Sequence, residues 1–290
     1  MKKIGFVGLG NMGAKMVANL LTANYEVIGY DINEKFVNQL LPKGLKKASN
    51  LNDISKDTDI IITMLPNGEI VEEVLIGIID NLKPGALITD CSTIDVEKAK
   101  VLHKKCVDKK LLSLDAPVSG GVGGAENGTL TFMVGGPEDA YEMMLPLFEV
   151  MGKKSLLCGS YGTGQATKAC NNMLLATTMI GVGEAFSLGQ NLGLDPKKLF
   201  EIFSTSTGSC WSINSYCPIK GVGPISPADN NFRPGFSADL MLKDLTIAIK
   251  AIESTNTKAP FGKSSQESFK RMINENQGYL DFSAITKFNK

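Results

Sequence analysis

Two arginines, Arg233 and Arg271, and one histidine, His103, are all that the 290 residues hold of these types. So little arginine removes the bidentate clamps that phosphorylated substrates usually require. The 30 Lys+Arg are balanced by 30 Asp+Glu, which leaves no basic excess to meet a phosphate backbone. Nucleic acid is therefore not an expected partner. His103 lies in the lysine-rich run His103-Lys104-Lys105, which reads as surface, so a histidine metal site or a Ser-His-Asp triad is nearly excluded. No metal is expected, and proton chemistry has to use another group.

Cys91, Cys106, Cys158, Cys170, Cys210 and Cys217 form no C-x-x-C pair, in a chain far larger than disulfide-stapled folds. They read as reduced, buried thiols. No run reaches the ~18 apolar residues of a membrane span. The apolar start breaks at Asn11 without a cleavage signal and reads as a strand. No membrane partner is expected, and the expected location is cytoplasmic.

What remains is 43% hydrophobic and 21% charged, the balance of a globular protein, and long enough for two domains. The first half alternates short β-rich runs with amphipathic stretches, the pattern of a parallel sheet covered on both faces. Strands are predicted at Lys3–Val7, Glu26–Tyr30, Asp59–Met64, Ala86–Cys91, Leu111–Ala116, Leu130–Val134 and Ser155–Cys158. Helices are predicted at Asn11–Ala23, Glu34–Leu40, Glu69–Ile76, Val96–Lys105 and Glu138–Phe148. After Gly164 the strand signal stops. Gln165–Leu192 reads as one long helix, rich in small residues and buried on several sides. Further helices are predicted at Pro196–Ser204, Ala238–Ser254 and Lys263–Asn276, interrupted by a Pro/Gly-rich loop at Tyr216–Pro234. The expected fold is an α/β Rossmann-type domain (1–162) and an all-α domain (163–290) joined by the long helix.

Gly8-Leu9-Gly10-Asn11-Met12-Gly13 fits G-x-G-x-x-G between a strand and a helix, and the next strand ends at Asp31. Gly8 permits the tight turn, Gly10 lets a pyrophosphate reach the helix N-terminus, and Gly13 lets helix and strand pack closely. Asp31 is placed to accept from the adenosine ribose hydroxyls. It would repel a 2′-phosphate, and the first domain holds no arginine to bind one, so NAD is preferred over NADP. Ligands of such sheets lie beyond the carboxyl ends of strands, which adds Leu65, Pro66 and Thr93, although Leu65-Pro66 could equally be an ordinary turn.

Lys168 and Asn172 stand at i and i+4 on the long helix and are expected to project together into a cleft between the domains. Burial lowers a lysine's pKa, which suits a general base near neutral pH, although a lysine near a helix start is more often solvated.

Four segments together resemble the β-hydroxyacid dehydrogenase family: Gly5–Gly13, Asp115-Ala116-Pro117-Val118-Ser119-Gly120-Gly121, Gly162–Lys168 with Asn171-Asn172, and Lys243-Asp244. The likeness covers essentially the whole chain, and the second and third segments in this order are its more specific part. The loop from Cys210-Trp211 to Phe236 resembles the branch acting on 3-hydroxyisobutyrate. The resemblance implies NAD-dependent oxidation of a small hydroxy acid. Lys168 would be the general acid/base, Asn172 a substrate ligand that helps position it, Ser119, Gly120 and Gly121 the carboxylate site, and Lys243 a group near substrate and nicotinamide. Asp244 would orient a neighbour. Trp211 and Phe236 either line the pocket or belong to the core. Tartronate, glyoxylate and succinic semialdehyde reductases share these residues, whereas Lys168 argues against the imine reductases. The scarcity of arginine argues against a 6-phosphogluconate substrate. A non-catalytic dinucleotide-binding interaction protein is the alternative of another class. The apolar long helix leads us to expect a homodimer or homotetramer.

Overall fold

The computed structural model describes residues 2–56 and 58–288, and the chain divides into two compact units, Met1–Lys168 and Ala169–Lys290. In the first, nine strands among the described residues form one sheet. They are β1 (Ile4–Val7), β2 (Val27–Tyr30), β3 (Lys46–Lys47), β4 (Ile60–Thr63), β5 (Leu87–Asp90), β6 (Leu112–Asp115), β7 (Val118–Ser119), β8 (Leu130–Gly135) and β9 (Gly152–Gly159). The order is β3-β2-β1-β4-β5-β6-β8-β7, with β9 beside β8. The first six strands run parallel, and β8 reverses against β6 and β7. That order is the dinucleotide-binding arrangement, with its switch point between β1 and β4.

The two faces follow from alternation along each strand. Ile60 and Ile62 join Ile4, Phe6 and Leu87 on one face, under Met16, Val17 and Leu20 of α1 (Gly13–Thr22). Ile61 and Ile88 point the other way, under Val71, Leu75 and Ile78 of α4 (Gly68–Ile79) and Leu102 of α5 (Val96–Asp108). A strand buried on both faces has to be apolar throughout, which is why Ile60-Ile61-Ile62 is unbroken.

The remaining helices here are α2 (Glu34–Asn38), α3 (Leu51–Ser55), α6 (Gly121–Glu126) and α7 (Glu138–Met151). β3, β7, α3 and α6 go beyond the sequence expectation. Each is too short to show a period, and β3 consists of two exposed lysines. His103 departs from its surface reading. It is buried on the inner side of α5, where Nδ1 lies 2.6 Å from Ser113 Oγ and the ring stacks on Tyr161 at 4.4 Å.

Helix α8 runs from Thr163 to Asn191, and its residues Thr163 to Lys168 group with the sheet. Its start is held by a buried carboxylate at the end of β6. Asp115 accepts from Gly162 N–H (2.8 Å), Gln165 N–H (2.8 Å) and His103 Nε2 (3.1 Å). Serving the free N–H groups of a helix start with a carboxylate also complements the helix dipole.

The second unit is helical: the rest of α8, then α9 (Pro196–Thr205), α10 (Trp211–Asn214), α11 (Ala238–Ser254) and α12 (Pro260–Asn274). Helix α12 begins before the expected Lys263 because Pro260 fills its first turn, where no N–H is needed. Ala176, Met179, Met241, Leu245, Phe269 and Phe282 form its main core. Helix α8 keeps one outward stripe, with Cys170, Leu174 and Leu188 exposed, so the expectation that all cysteines are buried fails at Cys170. Cys158 and Cys210 are half-buried, and only Cys91, Cys106 and Cys217 are fully buried. Phe236 packs edge-on against Phe282, while Trp211 is exposed and stacks on Tyr216.

Gly164 shows how closely α8 approaches the sheet. A Cβ there would lie 2.4 Å from the Met133 carbonyl oxygen and 2.6 Å from that of Asp115. Both obstacles are backbone, so Gly164→Ala should destabilise the protein by about 1–3 kcal/mol. Urea unfolding measures this, and an unchanged midpoint would refute so close a contact.

Candidate active site

The glycine loop follows β1 at the carboxyl edge of the sheet. Gly8 has φ +95° and its added Cβ would meet the Met64 carbonyl, and a Cβ at Gly13 would collide with the Gly8 carbonyl. A Cβ at Gly10 would meet nothing within 4 Å. Two glycines are thus required by packing, and the third leaves open space above the loop, where a pyrophosphate needs access.

Helix ends support the same use. Side chains of Asn33, Asn50, Asn67 and Asp95 cap α2, α3, α4 and α5. Met12, at the N-cap of α1, supplies no such bond. An N-terminus without its own cap, facing open space beside glycine, suits a phosphate. The residues present therefore fit a dinucleotide.

Asp31 does more than the sequence suggests. One carboxylate oxygen accepts from Leu9 N–H (2.7 Å) and the other from Asn33 N–H (2.8 Å), which ties the glycine loop to the end of β2. The residue stays half-buried, so acceptor capacity remains for ribose hydroxyls. The loops after β4 and β5 are joined by Leu65 N–H donating to Ser92 Oγ at 2.8 Å. Leu65 and Thr93 are half-buried and Pro66 is exposed. Ser119, Gly120 and Gly121 span the end of β7 and the start of α6, where Gly120 has φ +131° and again no side chain caps the helix.

Lys168 is 8% exposed, and Asn172, one turn later on α8, is 2% exposed. Asn172 Nδ2 donates to Asp244 Oδ2 at 2.5 Å, while Asn172 Oδ1 accepts from Asn171. Asp244, buried on α11, holds its Oδ1 3.4 Å from Lys243 Nζ. That is an ion-pair distance without hydrogen-bond alignment, and Oδ1 has no hydrogen bond among the described residues. A buried acceptor in this condition is costly unless a donor is supplied. The Asn172–Asp244 bond was not foreseen; the sequence offered only the adjacency of Lys243 and Asp244.

Asp90 and Asp115 also escaped sequence reading as a pair. Asp90, fully buried at the end of β5, accepts from Thr63 Oγ1 (2.7 Å) and Ser92 N–H (3.0 Å). Asp90, His103, Ser113 and Asp115 line a cavity of about 20 Å³. That is room for about one water and none for a substrate, so the His103–Asp115 pair is structural. Among the described residues no His/Cys/Asp/Glu group is arranged to hold a metal ion, and no helix is long and apolar enough to cross a membrane.

A doubly wound sheet with this loop and helix end defines a dinucleotide-dependent oxidoreductase. Residues 3–161 match the model of the NAD binding domain of 6-phosphogluconate dehydrogenase, and 162–289 that of the NAD-binding region of NADP-dependent 3-hydroxyisobutyrate dehydrogenase. The mitochondrial 3-hydroxyisobutyrate dehydrogenase of Drosophila melanogaster is 42% identical, over 98% of this chain and 88% of its own. The solved structure of the Mycobacterium tuberculosis 3-hydroxyisobutyrate dehydrogenase with L-serine superposes with TM-score 0.95 at 41% identity, covering 99% of both chains. An imine reductase of Streptomyces aurantiacus shares the fold alone, at 17% identity and TM-score 0.62, with full coverage of both chains. The chain belongs to the 3-hydroxyisobutyrate dehydrogenase family of NAD-dependent β-hydroxyacid dehydrogenases.

Burial pushes the Asp90 carboxyl up to about 6, against the lowering effect of its hydrogen bonds and with a further upward push from Asp115. A carboxyl raised in the folded state binds its proton more tightly there than in the unfolded chain. Stability is therefore lost as pH rises from about 4 to about 6. Asp90→Asn should flatten that slope, worth about 3 kcal/mol. Urea midpoints at several pH values test this, and an equal slope in both proteins would contradict it.

Proposed function

We propose that the chain oxidises 3-hydroxyisobutyrate to methylmalonate semialdehyde, a step of valine breakdown, with NAD as hydride acceptor. The observation that carries this reading is Lys168, a buried amine on the helix that also carries Asn172. NAD, when bound, would supply the acceptor for the hydride that leaves the carbinol carbon. Lys168 Nζ takes the hydroxyl proton as the C=O bond forms and returns it in reduction. Asn172, its amide oriented by Asp244, retains one N–H and one lone pair for the substrate. The backbone N–H groups at Ser119, Gly120 and Gly121, with the Ser119 hydroxyl, would hold the carboxylate, and we assign Lys243 to the same substrate.

Gly8, Gly10, Asn11, Met12 and Gly13 would hold the pyrophosphate of the cofactor and Asp31 its adenosine ribose, and we assign Leu65, Pro66, Thr93, Lys243 and Asp244 to its nicotinamide end. NAD is favoured over NADP because Asp31 would face a 2′-phosphate and the first unit contains no arginine. L-serine, also a β-hydroxy acid, is the main competing substrate, since a relative was solved with it.

The unpaired cysteines suit a reducing compartment, and we place the enzyme in the cytoplasm. We also assign it a homodimer or homotetramer, supported by the exposed Leu174, Leu188, Leu192 and Ile202 of the second unit. Sedimentation showing only a 31.1 kDa species would reject the assembly.

Purified protein should reduce NAD much faster with 3-hydroxyisobutyrate than with L-serine, glycerate or 4-hydroxybutyrate, and at least ~10-fold more efficiently than NADP. Equal rates across the acids would remove the substrate assignment. Lys168→Ala should lose on the order of 10²–10⁴ in kcat while still binding NAD. A fully active Lys168→Ala variant would remove the mechanism.

A further inference from the structure

Gln165 stands one turn before Lys168 on α8 and is almost wholly buried, at 1% exposure. Its side-chain amide is bonded in both directions to one loop. Oε1 accepts from Ile94 N–H at 3.0 Å, and Nε2 donates to the Ser92 carbonyl at 2.7 Å. The two bonds bracket Thr93. The same loop is joined to the neighbouring one through Ser92 Oγ and Leu65 N–H, and to β5 through Ser92 N–H and Asp90.

These bonds are not needed to start the helix. Asp115 already serves the Gly162 and Gln165 N–H groups, and its carboxylate is held in turn by His103. Nor are they needed for packing, since an apolar side chain of equal length would fill the space. What they determine is the rotation and distance of the first turn of α8 relative to the Ser92–Ile94 loop. Residues at i and i+3 share a helix face, so fixing Gln165 fixes where Lys168 emerges.

We propose that Gln165 is a positioning residue that registers Lys168 against the loop presenting Thr93 to the cofactor. The inference rests on Lys168 being the general base. Proton transfer needs heavy atoms within hydrogen-bond reach, and a displacement of about 1 Å can cost on the order of 100-fold in rate. The glutamine acts on the chemical step, not on cofactor affinity.

The experiment compares Gln165→Met and Gln165→Ala with the parent, each with and without Lys168→Ala, reading kcat with 3-hydroxyisobutyrate, the Kd for NAD and Tm. Gln165→Met keeps the length and removes both hydrogen bonds. The expected result is a kcat loss on the order of 10–100-fold with the NAD Kd within about twofold. In the Lys168→Ala background, Gln165→Met should cause no further loss, because the group it positions is gone. With Lys168→Ala inactive, a Gln165→Met kcat within about twofold of the parent overturns the positioning role alone. So does a loss that persists undiminished in the double variant, or failure of both Gln165 variants to fold. An active Lys168→Ala variant sinks the base assignment and this role together.

Discussion

The carboxylate of Asp115 ties the end of β6 to the first turn of α8, within the first unit. It is buried at the end of β6, and three donors converge on it: two N–H groups at the start of α8 and the imidazole of His103. A carboxylate so deep is tolerable only when fully hydrogen-bonded. Its donors are also the groups whose placement matters, since they open the helix that carries Lys168. The glycines around it follow from the same constraint. A Cβ on Gly135 would lie 2.5 Å from Asp115 Oδ1, and one on Gly164 would strike the backbone of β6 and β8.

The helix starts of the first unit differ in how they are capped. Asn or Asp side chains close α2, α3, α4 and α5, whereas α1, behind the glycine loop, starts without a side-chain cap. Asp31 braces the glycine loop through Leu9 N–H and the start of α2 through Asn33 N–H, and stays half-buried. A loop braced in this way is preorganised, so less ordering would be needed on binding.

In the helical unit the corresponding economy is Asn172 and Asp244. A short bond between buried groups orients the amide, and the second carboxylate oxygen remains an acceptor facing Lys243 at ion-pair distance. With arginine nearly absent from the chain, lysines are almost its only permanent cations.

The sequence by itself determined the alternating first half, the long helix and the glycine loop that ends β1, because period, turn chemistry and motif spacing are local properties. Helix α11 runs over Ala238–Ser254 as read from its pattern. The short elements β3, β7, α3 and α6 were not legible, since two to six residues cannot display a period. His103 was misread for a related reason: its lysine neighbours face outward on α5 while the ring faces in, where Ser113 and Asp115 receive it. Only the tertiary structure decided that Asp115 holds the start of α8, that Gln165 clasps the Ser92–Ile94 loop, and that Asn172 meets Asp244. Each joins residues 47 to 73 positions apart, and at that range only packing, not spacing, selects the partner.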